Sequence, residues 1–346
     1  MEYRVAFWNL ENLFAPEGHP GREPWIARAV ARDLAGWTPR LFERKADQLA
    51  VGIASIGATQ GGQPEDAAGP DLLGFCEVEN RYAVDALLSA LSHRVPGRDY
   101  RAVHVDATRD RRGIDTGFIY DASRLDPIPT ELFSHFVMRR TGTRDITQQT
   151  FTTRSGNQIV AFANHWPSRS GGHHESSGFR ATAGETLGYW HERVREQKGR
   201  DVAVVAIGDF NDDPGDASLC VHARATRERD DVEGATSARF YNVSWNYLRQ
   251  RATSASGRER TLYGTLYFRG NGHVLDQILV SRGLLTGSGP LRVLEHSARI
   301  EAPAAMVHRS KNHGPIRFGL PRGKPASVDP DGFSDHFPVS VVVEER

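Results

Sequence analysis

Acidic, amide and imidazole side chains recur in this chain at the ends of apolar runs, and the sharpest case is VAVVAIGDFNDDP, residues 202–214. Residues 202–207 form a continuous apolar, β-branched run of the length of a central strand. Gly208 permits a tight turn, and Asp209 and Asn211 follow with one residue between them. In an extended segment that spacing puts a carboxylate and an amide on one face. They would project from a strand end, where α/β proteins build their sites. Taken alone the stretch also reads as an ordinary turn, because Gly, Asp, Asn and Pro all favour turns. The pattern repeats, however. Asn9 and Glu11 close YRVAFWNL, Glu77 closes DLLGFCEVEN, His165 closes QIVAFANHW, Asp276 interrupts HVLDQILVS, and Asp335 with His336 precedes FPVSVVV. Each singly suits a cap or turn, but together they are costly to bury without a cation or hydrogen-bond partners. Oxygen-rich sets of Asp, Glu and Asn suit Mg²⁺ or Mn²⁺ rather than zinc. Two histidines among carboxylates suit phosphoryl chemistry, in which a metal neutralises charge, a carboxylate readies water and imidazoles contact the remaining oxygens.

Strands and helices alternate early in the chain and hairpins follow later, which favours one α/β domain with mixed sheets over residues 1–346. After the first strand, residues 15–37 read as a Pro/Gly-rich loop with a short helix over 25–34. Thr38 and Pro39 open a helix whose apolar stripe is Phe42, Ala46, Leu49, Ile53 and Ile56. The polar linker at 58–70 and the segment 301–333 read as further mobile loops. A helix with Val84, Leu87, Leu88 and Leu91 on one face follows the second strand, and YRAVHV and TGFIYD give two more strands. PSRSGGHHESS reads as a loop, and the next helix carries Phe179, Ala183, Leu187, Trp190 and Val194 on one face. Between GDFNDDP and HVLDQILVS the pattern is irregular.

Composition sets bounds. Lys plus Arg and Asp plus Glu are 43 each, so no general positive field collects polyanions and any anion site is local. Two cysteines are too few for a disulfide framework. Without a signal-peptide pattern or a run of membrane-spanning length, a cytoplasmic setting is the expectation.

The segments FWNLENLF, GFCEVEN, RGIDTGFIYD, NHWPSR, GDFNDDP, DQILVS and FSDHFPVS, in this order, resemble the endonuclease/exonuclease/phosphatase superfamily of DNase-I-like metallo-phosphodiesterases. The resemblance runs from residue 7 to residue 340, and NHWPSR is most similar to the generic bacterial members. It implies a four-layer α/β sandwich, two packed mixed β-sheets flanked by helices, with the site at one edge. By resemblance, Glu77 is the main metal-binding glutamate, Asp335 a further metal-side carboxylate and Asn9 a support for metal and phosphate. Glu11 stands where some members carry a second acidic ligand. Asp209 matches the aspartate that activates water, and Asn211 the amide that fixes phosphate. His336 matches the catalytic histidine and Asp276 the aspartate that orients it. His165 matches the second histidine, with Asp115 as its carboxylate partner.

Arg112, Ser168, Arg169 and Arg180 flank these segments as candidate phosphate contacts, with a solvated surface role as the alternative. His173 and His174 are read as exposed loop residues, and Trp166 as core packing in preference to a base-stacking surface. The run from Arg309 through Lys311, Arg317, Arg322 and Lys324 contains no acidic residue and could guide a polyanion to Asp335 and His336. The expectation is a Mg²⁺- or Mn²⁺-dependent phosphodiesterase acting on nucleic acid, DNA before RNA. The alternative is a phosphatase or phospholipase-like esterase for a phosphorylated lipid or small molecule. Ile207 before Gly208 and Gln277 after Asp276 depart from the inositol-phosphatase branch.

Overall fold

The computed structural model describes residues 1–58, 69–106, 110, 112–137, 143–169, 172–309 and 313–346, with backbone only for His173 and Arg249. Most of the 58–70 linker, and Lys311, lie outside these residues. The first sheet has the order β16 (Leu291–Ile300), β17 (Val339–Glu345), β1 (Glu2–Leu13), β2 (Leu72–Val78), β4 (Asp115–Asp121) and β3 (Tyr100–His104). The second has the order β5 (Leu125–His135), β6 (Ile146–Thr153), β7 (Gln158–His165), β8 (Ala203–Asp209), β15 (Asp276–Ser281), β10 (Phe240–Asn242) and β9 (Ala225–Thr226). Two small hairpins, β11 (Arg251–Thr253) with β12 (Glu259–Thr261) and β13 (Leu266–Phe268) with β14 (Asn271–His273), complete the strands. The helices are α1 (Pro24–Leu34), α2 (Pro39–Ala54), α3 (Arg81–Arg94), α4 (His173–Lys198), α5 (Arg229–Glu233) and α6 (Arg282–Thr286).

Strand alternation builds the layers. On β8, Val205 and Ile207 join the core between the sheets, whereas Val204 and Ala206 face a second cluster with Ala183 and Leu187 of α4. On β1, Trp8 lies on the α2 side, where a side chain at Gly52 would come within 2.4 Å of its ring. Gly74 of β2 performs the matching task between the sheets, since a Cβ there would meet Ile207 at 2.6 Å. The expected sandwich of two mixed sheets is the observed architecture.

Local signals explain the helix starts. Thr38 accepts the Leu41 N–H and Asn80 accepts the Ala83 N–H, each capping its helix. The residue 15–37 segment is tied down: Arg22 pairs with Glu79, and the Trp37 indole donates to the Phe14 carbonyl. Helix α4 begins at His173, well inside the stretch that the sequence reads as a loop. There the Ser176 and Ser177 hydroxyls bond back to the Gly172 and His174 carbonyls, and the small residues of the first turns fit a helix as readily as a loop.

The sequence pattern misses β5 and β16. Both are edges of their sheets. Strand β5 carries Pro127 and Pro129, which an edge tolerates because one side of its backbone needs no partner. Strand β16 is polar along one face and bulged between Leu294 and Arg299. Among the described residues no helix is long and apolar enough to cross a membrane.

His191 of α4 is 3% exposed and stacks on Phe240 at 3.8 Å. Burial, reinforced by the charges of Arg195 and Arg224, pushes its pKa down to about 3. The folded state therefore resists a proton that the unfolded chain accepts below its ordinary value. Stability from this group is intact above about pH 6.5 and falls as pH drops toward 3, by about 1.4 kcal/mol per pH unit. His191→Phe is expected to flatten that part of a urea-denaturation series measured between pH 7 and pH 4.

Candidate active site

Three strands of the second sheet bring three site residues into one row. In the parallel pair β7–β8, His165 is opposite Asp209, and in the antiparallel pair β8–β15, Asp209 is opposite Asp276. All three are buried. Two carboxylates facing each other across strands repel, and His336 relieves this from the segment that leads into β17. Its Nδ1 is 2.7 Å from Asp276 Oδ2 and its Nε2 is 3.9 Å from Asp209 Oδ2. The backbone around it is fixed from several sides. Its N–H donates to Ser334 Oγ, which itself donates to the Asn9 carbonyl, and its carbonyl accepts the Trp8 indole N–H. Leu266 bridges to it, and Thr265 Oγ1 accepts the Asp276 N–H.

The charges follow from this packing. Burial opposes the imidazolium of His336, yet the Asp276 and Asp209 carboxylates prevail and hold its pKa well above the ordinary value. Burial, with Asp276 adding, pushes Asp209 up to about 7 even though His336 and the hydrogen bonds from Asn211 and Asn9 favour its charged form. Asp209 thus has a basicity suited to exchanging protons near neutral pH. Its Oδ2 accepts from Asn9 Nδ2 at 3.1 Å and its Oδ1 from the Asn211 N–H at 3.0 Å. The Asn211 side-chain amide donates to the Trp166 carbonyl.

The first sheet contributes through irregular backbone. Strand β1 loses register with β2 between Asn9 and Leu13, and β2 loses register with β4 between Cys76 and Val78. Such bulges re-aim side chains. Glu11, Asn12 and Glu77 sit there with φ of 50°, 57° and 63°, and Asn211 across the cleft has φ 52°. Left-handed backbone away from glycine costs about 1–3 kcal/mol per residue and gathers at functional sites. Glu77 Oε2 accepts the Asn12 N–H at 2.9 Å. Its Oε1 lies 3.6 Å from both His165 Nε2 and Arg112 Nη2. Burial works against the Glu77 charge, but Arg112 and Arg144 outweigh it and lower the pKa. Asp335 is pushed up to about 6, first by burial and then by the Glu11 charge.

Not every candidate reaches this cluster. Arg169 donates to the Asn211 carbonyl and pairs with Asp212 at 3.0 Å, Asp213 at 3.3 Å and Asp216 at 2.7 Å. Arg180 is 0% exposed and places Nε 2.7 Å from Asp212 Oδ2. Both arginines brace the GDFNDDP loop, and this departs from the expected phosphate contact: Arg169 is engaged by the loop's carboxylates and the Asn211 carbonyl, and Arg180 by Asp212, Ser176 Oγ and the Pro167 carbonyl. Glu11 also departs from the expected ligand geometry: Arg317 and two backbone N–H groups occupy its carboxylate. Asp115 opens β4 with Oδ2 3.7 Å from His104 Nε2. Arg112 is at the cluster, 41% exposed, and Ser168 is exposed beside it in sequence to Arg169. Trp166 is core, edge-on to Phe210 at 4.8 Å, and His174 is exposed.

Two cations escaped the sequence reading. Arg144 lies against His165, with Nε 3.1 Å from Nδ1 and Nη2 2.7 Å from Nε2. Burial first, and then Arg144, push the His165 pKa well down, so its imidazole is neutral. No motif marks Arg144. Lys45 is 0% exposed and bonds the Glu11 carbonyl. Its signal was available: a lysine beside Ala46 on the apolar stripe of α2.

The donors fit a hard divalent cation. Glu77 and Asp335 offer only oxygen, and Asp335 takes up a proton more readily because of its burial and then because of the Glu11 and Glu77 charges, both of which a cation beside it would offset. Among the described residues, Asp209, Asp276 and His336 also bring ligand atoms within 4.8 Å of one another, as do His104, Asp106 and Asp115.

The family described as Endonuclease/Exonuclease/phosphatase matches residues 4–345. No curated protein matches the chain. Among solved structures, the human Nocturnin catalytic domain with bound sulfate is similar at TM-score 0.53 and 16% identity, over 100% of this chain and 95% of that one. Truncated Caenorhabditis elegans TDP2 gives 0.53 and 15%, over 99% and 97%. A mannosyl-6-phosphatase of Bacteroides thetaiotaomicron gives 0.51 and 18%, over 99% of each chain.

Asp276 is the first of the charges that raise the His336 pKa. Asp276→Asn is therefore expected to lower it, read as a downward shift of the imidazole NMR titration in metal-free protein. An unmoved titration would mean that the pair does not act as a unit.

Proposed function

The chain belongs to the endonuclease/exonuclease/phosphatase family of divalent-metal-dependent phosphoric ester hydrolases, and from that premise we propose that it hydrolyses phosphodiester bonds of DNA with Mg²⁺ or Mn²⁺. Glu77 and Asp335 would hold the cation. When bound, it supplies charge neutralisation at the phosphate oxygens. Asp209, basic near neutrality and fixed by Asn9 and Asn211, aims the attacking water and takes its proton. His336, kept protonated by Asp276 and Asp209, directs Nε2–H toward a non-bridging oxygen. His165 is neutral and lies against Arg144, so it lines the phosphate or leaving-group side of the site without supplying charge of its own. Asn211 braces the loop beneath the phosphate.

The observation that supports a nucleic-acid substrate is the β13–β14 hairpin. It is joined to His336 through Leu266, and Asp213 holds its base by accepting the Val274 N–H. Near its tip Phe268 is 61% exposed with the Arg269 guanidinium 5.3 Å from its ring, and Tyr263 nearby in the chain is 68% exposed. Exposed rings with an arginine suit stacked bases and their phosphates. The basic stretch before Asp335 supports the reading less than its composition suggests, because Arg322 is paired with Asp33 and Arg317 with Glu11. TDP2 and Nocturnin share the fold, as does the mannosyl-6-phosphatase.

Two outcomes test this. EDTA is expected to abolish hydrolysis, with Mg²⁺ or Mn²⁺ restoring it. Glu77→Gln is expected to raise the Mn²⁺ Kd at least about tenfold, which is about 1.4 kcal/mol. For the substrate, affinity of the Asp209→Asn protein for single-stranded DNA is measured across a salt series beside wild-type turnover of a small diester. DNA binding is expected to weaken steeply with salt. Phe268→Ala with Arg269→Ala is expected to weaken it at every salt concentration while sparing the small diester. A wild type that turns over small phosphate monoesters or phospholipid but shows no salt-dependent DNA binding would point to the phosphatase alternative.

A further inference from the structure

Glu11 is 1% exposed and its backbone is held at φ 50°. Its Oε1 accepts Arg317 Nε at 2.8 Å and pairs with Nη2 at 2.6 Å. Its Oε2 accepts the N–H groups of Phe318 at 3.1 Å and Gly319 at 3.3 Å, and lies 4.0 Å from Lys45 Nζ. A carboxylate has about four lone-pair directions. Three N–H donors and the Arg317 Nη2 contact occupy both oxygens, which sets Glu11 against a metal-ligand role.

The arrangement is one-sided. An ordinary surface pair, such as Arg322 with Asp33, joins two exposed groups (59% and 40%) and fixes neither. Here a buried anion holds a cation that is 57% exposed. Lys45 secures the clamp from beneath: it bonds the Glu11 carbonyl and lies 5.6 Å from the centre of the Phe318 ring. The outer edge of the Arg317 guanidinium then has a set direction. Nη2 is 3.8 Å from Asp335 Oδ2, and among the described residues Nη1 has no hydrogen-bond partner. Arg has five N–H donors in a planar fork. Nε serves Glu11, Nη2 lies between Glu11 and Asp335, and the Nη1 donors are uncommitted among the described residues. A fork of this kind matches two oxygens of one phosphate.

We propose that Glu11 is a positioning residue and not a metal ligand, and that the Arg317 guanidinium it clamps grips a non-bridging phosphate oxygen pair of the substrate. This rests on the phosphoric ester hydrolase reading of the site. Arg317 thereby adds a fixed positive charge beside the metal carboxylates.

The test separates metal binding from phosphate binding. Mn²⁺ affinity is read by the paramagnetic resonance signal of free ion, and inorganic phosphate affinity by calorimetry on Mg²⁺-loaded protein. Glu11→Gln and Arg317→Met are each expected to weaken phosphate binding about tenfold or more, the double variant no further, and Arg317→Lys to regain only part. All are expected to change the Mn²⁺ Kd by less than about threefold, unlike Glu77→Gln. A Glu11→Gln protein that loses Mn²⁺ as Glu77→Gln does would overturn the clamp. Should Glu11→Gln not fold, Arg317→Met decides alone, and wild-type phosphate affinity in it would overturn the proposal. Failure of the underlying reading looks different: wild type would bind Mn²⁺ and phosphate as expected yet hydrolyse no phosphate ester.

Discussion

Asp209 and Asp276 face each other across two buried strands, and an imidazole from the segment that leads into β17 lies between them and offsets their charge, beside the Asn9 and Asn211 donors on Asp209. Burying one carboxylate is expensive, and burying two side by side is worse. The remedy ties the sheets together at one end. His336 must arrive within hydrogen-bond reach of Asp276, so β17 and β15 cannot slide relative to each other. Gly74 contributes at a distance, since any side chain there would hold the sheets apart at Ile207. The same interaction sets the protonation pattern: a cationic His336, an Asp209 basic near neutrality and, across the row, a neutral His165.

Around that row the chain builds a negative centre with a partnered positive rim. Arg112 is near Glu77, Arg144 lies on His165 and near Asp110, Arg317 is clamped by Glu11, and Arg169 and Arg180 are held by Asp212. Breaking a buried pair such as Arg180–Asp212 costs about 3–5 kcal/mol, because it strands a charge. These pairs tie the loops to one another and orient their side chains before any substrate arrives. They also explain how a chain of zero formal charge presents cations at one edge: the balance is local, and several of the acids are buried while their arginines reach solvent.

The bulged, left-handed backbone at Glu11, Asn12, Glu77 and Asn211 belongs to the same design. A regular strand would turn alternate side chains away from the cleft. The bulges in β1 and β2 interrupt that alternation where the carboxylates are needed. The strain is supported by side-chain to backbone bonds, such as Glu77 to the Asn12 N–H and Asp209 to the Asn211 N–H.

By itself the sequence determined the central strands, the capped helices and the polar residues that close each strand. Those features are written in short windows, as β-branched runs, Thr38-Pro39 or Gly208 before Asp209. It also carried the family resemblance, because GDFNDDP and FSDHFPVS are local strings. Only the tertiary structure decided the rest. Edge strands β5 and β16 need a neighbour to define them, and their Pro or polar content hides them in one dimension. Arg169 and Arg180 looked like phosphate contacts because their sequence neighbourhood is catalytic, but their partners were assigned by loop packing. Lys45, Arg144 and Arg317 come from a helix, a strand lead-in and a distant loop. For these three cations the partner lies 21 to 306 residues away in the sequence, so the pairing exists only once the chain has folded.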